Sequence, residues 1–73
     1  MIDVTYDPEA DAVYLYLSRG QVDRTEEAGP FIYDLDTEAR VLGIEILSAS
    51  KVLASGDWQR ARRPSETEVS AAE

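Results

Sequence analysis

Asp34, Asp36 and Glu38 alternate along the chain, and Glu45 stands eleven residues after Asp34. That spacing imitates an EF-hand loop, in which calcium takes oxygen ligands at alternate positions and a bidentate glutamate closes the site. Two features weigh against it. The position that needs glycine for the sharp turn is Ala39, and the closing glutamate lies inside an alternating apolar run, Val41 to Leu47, instead of opening a helix. Asp7, Glu9 and Asp11 imitate the start of a second such loop, but Pro8 interrupts it and Ser18 occupies its closing position. No cofactor or metal is therefore expected, and Asp34, Asp36 and Glu45 are the only candidates for a cation.

The same carboxylates could share acid–base work if their surroundings separated their pKa values. That requires a cleft to desolvate one of them, which an open sheet face does not supply. The chain contains no histidine, so the usual neutral-pH base and commonest metal ligand is missing. Ser48, Ser50 and Ser55 have no imidazole partner and read as helix caps, with Lys51 on the same short helix. Gly43, alone inside a strand, reads as a place where a neighbouring side chain or backbone approaches the sheet. No catalytic residue is assigned, and the chain is expected not to be an enzyme.

The segment from Phe31 to Leu47, FIYDLDTEARVLGIEIL, positions most of these residues. Its two apolar arms alternate with period two around a polar break of four residues, Thr37 to Arg40. Pairing Asp36 with Val41 sets Leu35 opposite Leu42, Tyr33 opposite Ile44 and Phe31 opposite Ile46, all on one face. The other face then carries Ile32, Asp34 and Asp36 opposite Glu45, Gly43 and Val41. An earlier hairpin follows the same logic. Ile2 to Tyr6 and Ala12 to Leu17 alternate or are rich in strand formers, and Pro8 marks the turn between them. Pairing Asp7 with Ala12 puts Ile2, Val4 and Tyr6 opposite Leu17, Leu15 and Val13.

Gln21 to Glu27 is charge-rich with Val22 as its one firm anchor, as an edge strand would be, and Ala28-Gly29-Pro30 is a turn. After Leu47 the period changes. Ser48 or Ser50 can cap a helix of about two turns with Ala49, Val52 and Leu53 as its apolar stripe, stopped by Gly56. The expected fold is α+β: a single small domain with an antiparallel sheet of four or five strands, two hairpins plus an edge strand, and one short C-terminal helix packed on it. Val4, Tyr6, Val13, Leu15, Leu17, Tyr33, Leu35, Leu42, Ile44 and Ile46 should form its core. Residues 1–59 make the compact domain, and residues 60–73 are an arginine cluster followed by a disordered tail.

Composition narrows the function classes. At 73 residues the chain makes one domain, and one near this size buries only about 60 % of its unfolded surface, so association would help it. Cysteine is absent, which excludes disulfides and thiolate metal sites. No run approaches the roughly 18 apolar residues of a membrane span, and MIDVTYD carries acid where a signal peptide carries base, so a cytoplasmic protein is expected. The formal charge is −8, and residues 1–59 hold all of it. An acidic body repels phosphate backbones, which argues against direct nucleic-acid binding. It suits a basic protein partner, and it also suits plain solubility.

The outer faces of the hairpins are not wholly polar. Tyr14 and Tyr16 share one, and Ile32, Val41 and Leu47 share the other, which makes them candidates for a contact surface. Trp58 either closes the end of the core or anchors a partner.

TYDPEADAVYLYLS near the start, RTEE in the middle and DLDTEARVLGIEILSASK together resemble the small prokaryotic YuzE-like family of unknown function (family 2283). The similarity covers residues 2–55 and is strongest at Tyr6-Asp7, Asp11-Ala12, Tyr14, Asp34 with Asp36, and Gly43 to Leu47 running into Ala49-Ser50. Members often carry glycine where this chain has Ala39. The resemblance brings no catalytic residues, and implies for some members an antitoxin role beside a basic ribonuclease-like toxin. The expected function is a non-enzymatic interaction module, as a homo-oligomer, as an antitoxin-like partner of such a toxin, or as both. The alternative is a small ligand- or metal-binding protein, or weak enzyme, using Asp34, Asp36 and Glu45.

Overall fold

The computed structural model describes residues 2–64 and has the expected α+β architecture. Five strands, β1 (Asp3–Asp7), β2 (Ala12–Tyr16), β3 (Arg24–Ala28), β4 (Phe31–Leu35) and β5 (Val41–Ile46), form one antiparallel sheet in the order β1-β2-β5-β4-β3. A single helical turn, α1 (Ala49–Val52), and a 3-10 turn (Asp57–Arg60) follow. The two hairpins join through their inner strands, with Val13 opposite Ile46, Tyr14 opposite Glu45, Leu15 opposite Ile44 and Tyr16 opposite Gly43.

The first hairpin has the register expected of it, from Asp7–Ala12 out to Asp3–Tyr16. The second departs at its tip. The Asp36 N–H donates to the Arg40 carbonyl at 3.0 Å, so the loop holds three residues and sets Leu35 opposite Val41, where Asp36–Val41 and Leu35–Leu42 were expected. Ala39 takes the left-handed position that closes such a loop, φ 64°. Asp34 nevertheless pairs with Gly43, and the one-residue mismatch is taken up by a bulge that leaves Leu42 extra. The Leu42 carbonyl accepts the N–H groups of Leu17 and Ser18, each at 3.0 Å.

The edge strand runs over Arg24–Ala28 instead of starting at Gln21. Its turn to β4 is the two residues Gly29-Pro30, with Gly29 at φ 61°. Proline fixes the next φ near −65°, and that positive–negative pair is the one a type II′ hairpin turn requires.

The face formed by Val4, Tyr6, Val13, Leu15, Phe31, Ile44 and Ile46 is the core side, covered at one end by Ala49, Leu53 and Trp58. Trp58 meets Tyr6 edge-on, ring centroids 5.0 Å apart, and donates its indole N–H to the Ala54 carbonyl at 2.7 Å. Of the expected core, Leu17 is 40 % exposed, because β2 ends at Tyr16 and its side chain falls past the sheet. Thr5, on the opposite face, is fully buried, and its hydroxyl has no hydrogen-bond partner among the described residues.

The serine caps are replaced by an aspartate from the other hairpin. Ser48 is left-handed, φ 53°, and makes no side-chain cap. Asp11 does the work instead: its carbonyl accepts the Ala49 N–H at 2.8 Å, and its carboxylate accepts the Ser50 N–H and hydroxyl, the latter at 2.7 Å. The helix ends at Val52 with Leu53 already extended, so Gly56 does not stop it and instead leads into the 3-10 turn.

Beyond residue 59, where the sequence pattern places the edge of the domain, residues 61–63 continue along the free side of β1. Thr5 and Arg62 form a parallel bridge, the Tyr6 N–H donates to the Arg62 carbonyl at 2.9 Å, and the Arg62 guanidinium meets Asp3. Residues 65–73, the rest of the expected tail, lie outside the described residues. No helix among the described residues is long and apolar enough to cross a membrane.

Candidate functional site

Alternation sends Tyr14, Tyr16, Ile32, Asp34, Gly43 and Glu45 to the sheet face opposite the core. β5, the central strand, carries Gly43 and Glu45 between the tyrosines of β2 and the Ile32–Asp34 pair of β4. Gly43 is the hinge of the arrangement. A Cβ built there would fall 2.7 Å from Cε1 and Cζ of Tyr14, so only a bare backbone lets the ring cross β5. Having crossed, the Tyr14 hydroxyl donates to Oδ2 of Asp34, and Thr25 of β3 donates to Oδ1 of the same carboxylate at 3.3 Å. Tyr14 thereby ties β2 to β4 across β5, and Thr25 extends the link to β3 through the same carboxylate.

Burial, and then the hydrogen bond to the Asp34 carboxylate, push the Tyr14 phenol well above its ordinary pKa. A tyrosine held so firmly in its neutral form is a donor and a packing surface, not a base. Tyr16 packs on it with ring centroids 4.5 Å apart and is 40 % exposed.

The other candidate carboxylates part company. Asp36 closes its own loop, accepting the N–H groups of Glu38 and Arg40 at 2.9 Å each and the Arg40 Nε at 3.0 Å. These backbone and arginine donors hold its pKa below the usual carboxylate value. Glu45 faces Tyr14 on one side and Ile32 on the other. Among the described residues no group of three or more acids lies close enough to hold a metal ion, so the EF-hand spacing of Asp34, Asp36 and Glu45 does not produce a cage.

A family model described as a protein of unknown function (DUF2283) matches residues 3–50, which covers all five strands and the start of α1. The chain belongs to this family. No curated protein and no solved structure matches it. The DUF2283 segment includes every residue of the tyrosine crossing and both ends of the Asp11–Ser50 cap. It leaves out Trp58 and the strap at residues 61–63.

Of the expected contact residues, the DUF2283 sheet brings Tyr14, Tyr16 and Ile32 together on its outer face. Val41 and Leu47 are exposed at opposite ends of β5, 39 % and 40 %, and Trp58 belongs to the core side. The sequence pattern does not disclose the roles of two residues that matter, Thr25 and Asp11. Thr25 reaches Asp34 because the Gly29-Pro30 turn sets those residues opposite each other, a register the two-residue turn could have supplied. Asp11 accepts the Tyr6 hydroxyl at 2.9 Å as well as the Ser50 groups. Its signal was only that Tyr6 and Asp11 flank one turn. The bond from the Ser50 hydroxyl is the main cause holding its carboxyl below its ordinary pKa.

Proposed function

We propose that this chain is a cytoplasmic, non-enzymatic protein-interaction module whose partner is basic, and that it docks through the outer face of its sheet. One observation carries the reading, the division of charge between the two faces. The registers place Asp3, Asp7, Glu27, Asp34 and Glu45 on the outer face, where the strands themselves carry no base and Arg62 meets Asp3 at the β1 edge. On the core side the strands carry only Arg24 and Glu26, at the β3 edge. Solubility alone would be served by acids scattered over both rims, whereas a face with a net negative charge speeds and orients encounter with a partner of opposite charge.

An antitoxin-like role beside a basic toxin, which the family resemblance implies, is one form such a partnership takes. Co-expression with the product of the neighbouring gene tests it. A complex that survives purification at low ionic strength and separates as salt rises is expected. Absence of any complex at low salt, with no rescue of growth, would overturn the antitoxin reading. A chelate or acid–base role for the carboxylates finds no support in the geometry, because Asp34 and Asp36 are already taken up by Tyr14, Thr25 and Arg40. Magnesium, manganese and calcium are accordingly expected to leave the melting temperature unchanged.

A further inference from the structure

Resting on the reading that the partner is basic, we propose that the row Tyr14–Glu45–Ile32 across β2, β5 and β4 is the seat of one arginine side chain of that partner. The guanidinium lies on the tyrosine and forks onto the Glu45 carboxylate, and the alkyl stem crosses Ile32.

The seat follows from the register. Tyr14 stands opposite Glu45 and Glu45 opposite Ile32, so neighbours in the row are about 5 Å apart. All three side chains are half-buried and point away from the core. Asp34, the other carboxylate on the strands flanking Gly43, is satisfied by Tyr14 and Thr25. Glu45 has no ion pair or side-chain hydrogen bond among the described residues. A partly desolvated carboxylate in mid-sheet gains more from a counter-ion than an exposed one does. Its surroundings select which cation fits. A single carboxylate cannot cage a metal ion, and an ammonium would use neither the ring nor the fork. A planar guanidinium uses both, with two parallel N–H···O bonds and a stacked face. Tyr14 is held in place by Asp34 and by the bare backbone of Gly43, so little ordering is left for binding. Tyr16, packed on Tyr14, widens the aromatic surface. The stem of an arginine covers apolar surface such as Ile32 while its head stays at the charge.

The test uses the full chain and two capped tripeptides, glycine–arginine–glycine and glycine–lysine–glycine, titrated to about 20 mM by NMR. Saturable shifts at the Gly43, Glu45 and Ile32 amides are expected, with the arginine peptide bound at least about three-fold more tightly than the lysine peptide. Glu45→Gln should weaken the arginine peptide by about ten-fold and Tyr16→Ala by about three-fold. Glu9→Gln, on the β1–β2 turn, should change nothing, and thermal melts confirm that each variant is folded. Equal affinity of wild type and Glu45→Gln overturns the seat but leaves the basic-partner reading to stand or fall by the co-expression result. Equal binding of the two peptides, or none from either, also overturns the seat. A Glu45-dependent preference for arginine in a chain that captures no basic partner would instead retire only the wider reading.

Discussion

Gly43 shows how one missing methyl group organises a face. The sequence marks it as an isolated glycine in a strand, and from that alone a close approach is legible. What approaches is not, because Tyr14 comes from the other hairpin and no local pattern states which strands will join. Gly43→Ala places a methyl against the Tyr14 ring, and the ring cannot yield without surrendering Asp34. A loss of about 2 kcal/mol is expected, of the order of an overpacked core site, or roughly 8–16 °C in a domain of this size. In a Tyr14→Ala background the same substitution should cost almost nothing, since alanine is otherwise the better strand residue; an equal cost in both backgrounds would show that the ring is not the obstacle. Thr5 offers the opposite experiment. Period two places it on the outer face, where exposure is expected, yet it is fully buried and its hydroxyl is unpaired among the described residues. Thr5→Val keeps the shape and removes the orphan, so thermal melts should show a gain of about 1 kcal/mol. A lower melting point would mean the hydroxyl has a partner.

Elements were legible where their own residues determine them. Both hairpins follow from alternation and turn chemistry, and the whole of the first register is readable. The tip of the second is not, because counting four polar residues cannot distinguish a four-residue loop from a three-residue loop plus a bulge. Ala39 is what the difference rests on. A left-handed alanine costs roughly 1–2 kcal/mol, and glycine gives back about 0.5–1 of that in chain entropy. Ala39→Gly should therefore raise the urea midpoint by the equivalent of about 0.5–1 kcal/mol with the slope m unchanged; a fall would mean the loop does not depend on that conformation. α1 was legible as a short helix, but its cap was not, since the capping carboxylate lies 39 residues away in sequence at Asp11. The carboxyls of Asp11 and Asp36 are both held below their ordinary value of 3.8. Their contribution to stability is therefore complete above the unfolded-state pKa near 4 and is lost as pH falls through the lower folded-state values. Wild type should thus melt well above Asp11→Asn at pH 7, and the gap should shrink as the pH is lowered through and below the unfolded-state value near 4. A gap that stays constant over that range would show that Asp11 acts through shape, not charge.

At the scale of the whole molecule, composition announces a small acidic domain, and the strand registers turn net charge into a two-sided object. What composition misses is how the sheet's first edge is finished. An edge strand exposes a row of unpaired N–H and C=O groups and invites pairing with other chains. β3 meets that hazard with charge, in Arg24, Glu26 and Glu27. β1 has Asp3 and Asp7, and it is covered instead by residues 61–63. The backbone bond from Tyr6 to the Arg62 carbonyl needs no particular side chain, which is why the arginine cluster reads in sequence as something outside the domain. The Asp3–Arg62 contact then fixes where the strap lies, and Ala61 joins Val4, Leu15, Leu53 and Trp58 around an apolar groove of about 360 Å³. Ending the chain at residue 59 removes all of this while leaving both hairpins and α1 intact. Amide exchange then reads the consequence locally. The Tyr6 N–H, which points away from β2 towards Arg62, should lose protection by about ten-fold or more as an open edge amide. Protection of amides in the β2–β5 ladder should fall only as far as global stability falls. If Tyr6 exchanges at the same rate in the two chains, the strap is not what closes this edge, and the sheet ends at β1 as the sequence pattern alone would place it.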